Sequence, residues 1–228
     1  MKTEFLDAML GHVVFDGWSE TSFAAAIRDT EMSQEQAREL FPRRALDAAI
    51  AFHKRGDAQM AARMKREDLM ALKYSERVAA AVRYRLEAAE PHKEEVRRGT
   101  ALFALPQNAA QGARLVWGTA DAIWDALEDR SEDYNWYTKR ATLSAVYSST
   151  VLFWLGDSSE DHVATWEFLD RRIENVLQFE TFKSQVRRAP FASTLLAGPS
   201  WLLSYVRKPV TMPDPDLPGY FSAARDPD

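Results

Sequence analysis

The residue types that most often carry chemistry are sparse in this 228-residue chain, and their spacing does not assemble them. The four histidines, His12, His53, His92 and His162, stand far apart. Helix-borne metal sites need ligands three or four residues apart on one face, and no Glu-x-x-His pair occurs, so no metal is expected. Cysteine is absent, which excludes thiolate nucleophiles, disulfides and cysteine-ligated metals. No Gly-x-Ser-x-Gly elbow, phosphate loop or Gly-x-Gly-x-x-Gly turn is present. The carboxylates of "EDRSED", Glu128 to Asp133, read as a solubilising link that complements the dipole of the following helix. The chain is therefore expected to be non-enzymatic and to need no cofactor.

What the chain does have is rings: seven Trp, seven Tyr and twelve Phe. They lie in a sequence that is 46% hydrophobic and 28% charged, ordinary for one globular domain with or without a small appendage. The formal net charge of −5 does not suggest nucleic acid as a partner, since such proteins carry a basic excess or stripe. The start, "MKTEFLDAML", is acidic and has no long apolar run, so neither a secretory signal nor a transit peptide is read there. A cytoplasmic bacterial protein, or an already processed one, is the simplest expectation.

The elements that must position these rings are helices. Apolar residues recur at helical spacing from Thr3 to about Val206, and no stretch alternates as a strand. The turn "DGW", Asp16 to Trp18, ends the first helix; Thr21 or Ser22 is expected to start the second, and Ser33 to cap a short third. A long helix is expected over Arg43 to about Arg66. Another runs from Ser75 to Ala89, with Val78, Val82 and Leu86 on one stripe and Pro91 at its end. Asn108 caps the next, which carries Val116, Ala120, Ile123 and Leu127 with Trp117 and Trp124 beside them. The following segment, about Tyr134 to Leu155, stops at Gly156, and Ser158 with Asp161 has capping-box spacing. The last core helix bears Val163, Trp166, Leu169, Ile173 and Val176 on one face. The fold class expected is all-α.

The segment from Tyr134 to Leu155 mixes large rings with small residues. As a helix it puts Trp136, Leu143, Tyr147 and Trp154 near one side and Ala141, Ser144, Ala145, Ser148 and Leu152 near another. Small residues beside rings leave space that neighbouring helices or a ligand must fill. Tight packing against the Trp117/Trp124 helix and the Trp166 helix is one reading, and an apolar ligand chamber is the other.

The order of the first three short helices, in "GWSETSFAAAIRDTEMSQEQARELFP", resembles the helix-turn-helix of TetR-type regulators. The third helix, however, offers Gln34, Glu35, Gln36, Arg38 and Glu39. Residues 1–56 hold seven basic and nine acidic side chains, a balance of −2 that would repel a duplex. A TetR-type regulator sensing an apolar ligand is accordingly the alternative reading and not the first.

A longer resemblance points elsewhere. "DYNWYTKRATLSAVYSSTVLFWLGDSS", "TWEFLDRRI" and the upstream "LPQN" resemble the coenzyme Q biosynthesis protein 9 family of mitochondria and α-proteobacteria, most closely from about Met70 to Phe182. That resemblance implies a TetR-like fold put to a different use. Members are non-enzymatic, homodimeric, lipid-binding accessory proteins of ubiquinone biosynthesis. They bind an isoprenoid lipid or quinone precursor and cooperate with a hydroxylase of the pathway. A family surface patch maps onto Leu105, Pro106, Asn108, Asp121, Asp133, Trp136, Tyr137 and Arg140. With the family in view, the chamber reading places Phe103, Trp117, Ala120, Trp124, Leu143, Ser144, Tyr147, Val151, Trp154, Trp166, Leu169 and Ile173 around the lipid.

The end of the chain has its own pattern. Ala189 to Val206 is uncharged and bracketed by Arg187, Arg188, Arg207 and Lys208. Pro190, Gly198 and Pro199 argue against a spanning helix. An interfacial arm is expected instead, with Phe191, Leu195, Leu196, Trp201, Leu202, Leu203 and Tyr205 in the acyl boundary and the cations on anionic lipid. The expected organisation is a degenerate helix-turn-helix-like module over 1–56, a lipid-binding and dimerisation domain over 57–182, a membrane arm over 183–208 and a Pro-rich tail over 209–228. The whole would be peripheral to the inner membrane on its cytoplasmic side.

Overall fold

The first helix, α1 (Lys2–Asp16), buries Phe5, Leu6, Met9, Leu10 and Val13, a spacing that puts all five on one face. It stops at Gly17, whose φ of 67° is open to glycine and whose N–H closes back on the Val13 carbonyl. This is the computed structural model of the chain; it describes residues 1–67, 69, 71–129 and 134–188, with the side chains of 134–135 and 177–188 left aside. Helices α2 (Glu20–Asp29) and α3 (Gln34–Leu40) both begin with reciprocal capping boxes. Ser33 caps α3 as expected, with Gln36 as its partner. For α2 the cap is Ser19, two residues before the expected start, because Ser22 is the residue that returns the bond.

The 22-residue helix α4 (Ala45–Arg66) is about 33 Å long and serves two cores. Its N-terminal half packs Ala45, Ala48 and Ala49 with α1–α3. There Phe5 meets Phe23 and Phe41, with ring centroids 5.0 and 5.3 Å apart. Its C-terminal half adds Met60 and Met64 to the larger core formed with α5 (Tyr74–Glu87), α7 (Ala109–Ala126), α8 (Tyr134–Gly156) and α9 (Val163–Arg188). Helix α6 (Lys93–Ala104) lies against α1 and α7. No strand occurs among the described residues.

Three ends differ from the sequence reading. Helix α5 stops at Glu87, ahead of Pro91, which sits in a short 3-10 turn over Glu90–His92. Asn108 occupies the N-cap of α7 but its side chain turns back to donate to the Leu102 carbonyl at 3.1 Å, so it ties α6 to α7 and does not cap. Ahead of α9 the Ser158/Asp161 box does not form, because Asp161 lies in a 3-10 turn with φ 50°. Asp157 does that work: it accepts from Ser159 N at 2.8 Å and from Thr165 N at 3.0 Å and Thr165 Oγ1 at 2.6 Å. Those donors hold its carboxyl far below the usual carboxylate range.

No helix among the described residues is long and apolar enough to cross a membrane. Helix α9 continues through the expected boundary at 182/183 to Arg188. The arm residues Phe191, Leu195, Leu196, Trp201, Leu202, Leu203, Tyr205, Arg207 and Lys208, and the tail, lie outside the described residues, as do the side chains of Arg187 and Arg188.

Candidate functional site

A cavity of about 290 Å³ lies where the two cores meet. Helix α6 supplies Val96, Gly99, Thr100 and Phe103; α7 supplies Ala109, Gly112, Ala113, Leu115 and Val116; α8 supplies Tyr147, Ser148, Val151, Leu152 and Trp154. Trp18, Ala49 and Phe52 close it from the N-terminal module. The hollow exists because small residues face rings here, Gly99 and Gly112 above all. A Cβ at Gly112 would come within 2.9 Å of Phe103 Cβ, so the two helices can approach this closely only with glycine. The aromatic wall is tied by polar ends: Trp18 Nε1 donates to the Glu95 carbonyl at 3.0 Å, and Trp154 Nε1 to Glu90 Oε2 at 2.9 Å.

One end of this apolar space is polar. Arg85, on the same stripe of α5 as Val78, Ala81 and Val82, is buried and lines the cavity with His53 and Tyr147. Its Nε donates to Asp57 Oδ1 at 2.7 Å and its Nη2 to the His53 carbonyl at 3.0 Å. Thr119 Oγ1 lies 3.0 Å from Asp57 Oδ1 and 2.8 Å from His53 Nε2. The carboxylate is the charge-assisted acceptor for the single Thr119 proton, which makes Nε2 the donor to Thr119. Burial, followed by the nearby Arg85 charge, pulls His53 down to about 4, so the ring is neutral at pH 7. Burial pushes the Tyr147 hydroxyl up, which keeps it protonated. The guanidinium is the reason for Gly56: a Cβ there would sit 2.5 Å from Arg85 Cζ and Nη1.

The chamber expected from the sequence is not one space. Phe103, Tyr147, Val151 and Trp154 line the cavity just described. Trp124, Leu143 and Ile173 line a second of about 240 Å³, with Tyr74, Val78, Thr142 and Val146. Trp166, Leu169 and Ile173 edge a third hollow that also has Arg63, Arg83 and Glu87 on its walls. Trp117, Ala120 and Ser144 line none of these. The physical reason is that α8 runs between the hollows: its residues 138–146 face the second and 147–154 the first. Sequence reasoning missed His53, Arg85, Trp18 and Phe52. An arginine on an apolar stripe and a glycine inside a long helix were the available signals.

The patch residues divide by burial. Trp136 is 6% and Arg140 1% exposed, so the centre of the expected docking surface lies inside the chain. The Arg140 guanidinium stacks 3.9 Å over the Trp136 ring and pairs with Asp121, with Asp125 at 3.7 Å and Asp129 at 4.0 Å. Trp117, expected at the lipid, lies 6.1 Å from Trp136 and 6.4 Å from Tyr137 instead. Leu105 and Pro106 are exposed, Asn108, Asp121 and Tyr137 half-buried, and Asp133 lies outside the described residues. Among the described residues no three His, Asp or Glu gather into a metal-binding group.

Known proteins resemble this chain in sequence and in shape. Residues 109–180 match the COQ9 family model. The mitochondrial ubiquinone biosynthesis protein COQ9 of Xenopus tropicalis is 30% identical over 193 residues, which is 82% of this chain and 61% of that protein. Human COQ9 is 27% identical over 194 residues, with the same 82% and 61% shares. A probable COQ9 of Dictyostelium discoideum is 34% identical over 118 residues, 52% of this chain and 38% of that one. The chain thus spans about six tenths of the length of the Xenopus tropicalis and human proteins. A TetR transcriptional regulator from Nitrosomonas europaea superposes with a TM-score of 0.64, 20% identity, and coverage of 76% of this chain and 96% of that one. The fold is therefore all-α and TetR-like.

Proposed function

We propose, from its similarity to the COQ9 proteins, that this chain is a non-enzymatic, lipid-binding accessory protein of ubiquinone biosynthesis. It takes an isoprenoid quinone precursor from the membrane surface and presents it to a hydroxylase that carries out the chemistry. The observation that carries this reading is the apolar cavity of about 290 Å³ between the cores. It is at the small end of the usual range for ligand pockets, about 300–1,000 Å³. It therefore suits a head group and the first part of a tail, with the rest extending outward. The partner docks on a surface that includes the exposed Leu105 and Pro106 and the half-buried Tyr137, whose ring lies edge-on to the buried Trp136 at 4.7 Å. The protein works as a homodimer and stays peripheral to the inner membrane, to which the arm after Arg188 adds apolar side chains and cations.

Lipid extraction from the purified protein, with identification by mass, tests the proposal. Co-purified isoprenoid or quinone-type lipid supports it. A protein that stays lipid-free and ignores both quinone precursors and liposomes would overturn it. The TetR-like shape does not favour DNA as the partner. In the N-terminal module Arg43 pairs with Asp47, Arg44 with Glu20 and Arg55 with Asp7, so cations that could meet phosphate are already matched by carboxylates.

A further inference from the structure

The polar end of the cavity has a charge balance that narrows what a ligand can present to it. Arg85 is the cation in the lining, and it already has Asp57 at 2.7 Å. The lining carboxylate, Glu95, is buried, and its Oε1 lies 2.9 Å from His92 Nδ1. His53 is neutral at pH 7 and Tyr147 protonated, for the reasons given above. An anionic head group entering here would lose its hydration and find a guanidinium whose charge is already matched, with Glu95 repelling it. An uncharged head with hydroxyl or carbonyl oxygens loses far less, and it meets a guanidinium and a phenol that can hydrogen-bond, beside an uncharged imidazole whose N–H serves Thr119.

We propose that His53, Arg85 and Tyr147 form a head-group subsite that selects lipids with a neutral, oxygen-bearing head over lipids ending in a carboxylate or phosphate. The inference rests on the lipid-binding reading and deepens it. The apolar walls grip the tail without regard to the head. The subsite orients the molecule, oxygen end inward and tail toward the rest of the cavity. Asp57 is the positioning residue that makes the preference, because it holds the guanidinium and cancels its charge.

Trp18 and Trp154 lie in the cavity wall, so quenching or enhancement of tryptophan fluorescence reports binding in the whole chain. The probes share one tail: farnesylhydroquinone, farnesol, farnesoic acid, farnesyl phosphate and the hydrocarbon farnesene. At pH 7.5 the two neutral oxygenated lipids should bind about tenfold tighter than the acid or the phosphate. Tyr147→Phe should weaken the oxygenated lipids about fivefold, the worth of one hydrogen bond, and leave farnesene unchanged. Asp57→Asn should raise affinity for farnesoic acid, because it leaves the guanidinium charge without its counter-ion; a thermal melt of that variant confirms that it is folded. If Asp57→Asn does not fold, the wild-type ranking and Tyr147→Phe decide the matter. Acid or phosphate binding as tightly as the neutral lipids would overturn the subsite. So would farnesene binding as tightly as farnesol, although the lipid reading would then survive. Binding of none of the five would overturn the lipid reading and the subsite with it.

Discussion

Gly56→Ala is the substitution on which the buried polar cluster can be judged. Inside an exposed helix, exchanging glycine for alanine stabilises by about 1 kcal/mol, since alanine fixes the helical backbone more readily. Gly56 is inside α4 but buried, and a Cβ there would lie 2.5 Å from Arg85 Cζ and Nη1 and 2.9 Å from Nη2. The end of an arginine would ordinarily swing aside. This one is held by Asp57 at 2.7 Å and the His53 carbonyl at 3.0 Å, and it is 5% exposed. Displacing it takes the buried guanidinium away from the half-buried Asp57 carboxylate and the His53 carbonyl, a change that costs about 3–5 kcal/mol in comparable pairs. Set against the propensity gain, the net loss is about 2–4 kcal/mol. For a chain of this size that lowers Tm by roughly 5–15 °C. Thermal unfolding followed by circular dichroism measures it. Gly118→Ala is the control: Gly118 lies in α7 with nothing within 4 Å of the new methyl, so Tm should hold or rise. In an Asp57→Asn/Arg85→Met background the added methyl at 56 should become harmless. A rise in Tm for Gly56→Ala alone would refute the argument that this glycine makes room for the guanidinium.

The depressed pKa of His53 makes stability pH-dependent. Its folded value of about 4 lies below the ordinary 6.5, so the unfolded chain binds the extra proton first. The contribution is present above pH 6.5 and is lost as pH falls toward 4; from pH 6.5 to 5 the loss is about 1.5 kcal/mol, and His53→Gln should remove that slope in urea titrations. Trp136→Ala should cost about 3–5 kcal/mol in stability, whereas Tyr137→Ala should cost about 1 kcal/mol or less while reducing capture of the hydroxylase. Comparable small losses in melts of both variants would contradict the burial of Trp136. Ser148→Trp should fill the cavity, abolish lipid recovery by mass spectrometry and leave Tm unchanged or higher. Undiminished lipid content in that variant would move the binding site elsewhere.

The sequence by itself determined the helices, two of the punctuation points and the family resemblance. Periodic apolar positions such as Phe5, Met9 and Val13 allow one buried face, Gly17 and Ser33 have the local chemistry that ends and starts helices, and neither depends on what packs alongside. The ordered motif around Trp136 and Trp166 made the resemblance to the COQ9 family legible. The mixture of rings and small residues told that space had to be resolved somewhere along α8. What lay beyond it is the pairing of faces. A helical wheel places Leu143, Tyr147 and Trp154 together, but their position along α8 and the neighbours of each turn put them at different hollows. Trp136 reads equally as an anchor or a docking ring until α7 brings Asp121 and Trp117 to the Arg140 that covers it. Only the tertiary structure could bring His53 and Asp57 of α4, Arg85 of α5, Thr119 of α7 and Tyr147 of α8 to one point. Periodicity records which side of a helix avoids water. It carries no record of which other helix lies across from it, and at what height, and that relation is what turns five ordinary side chains and a glycine into a site.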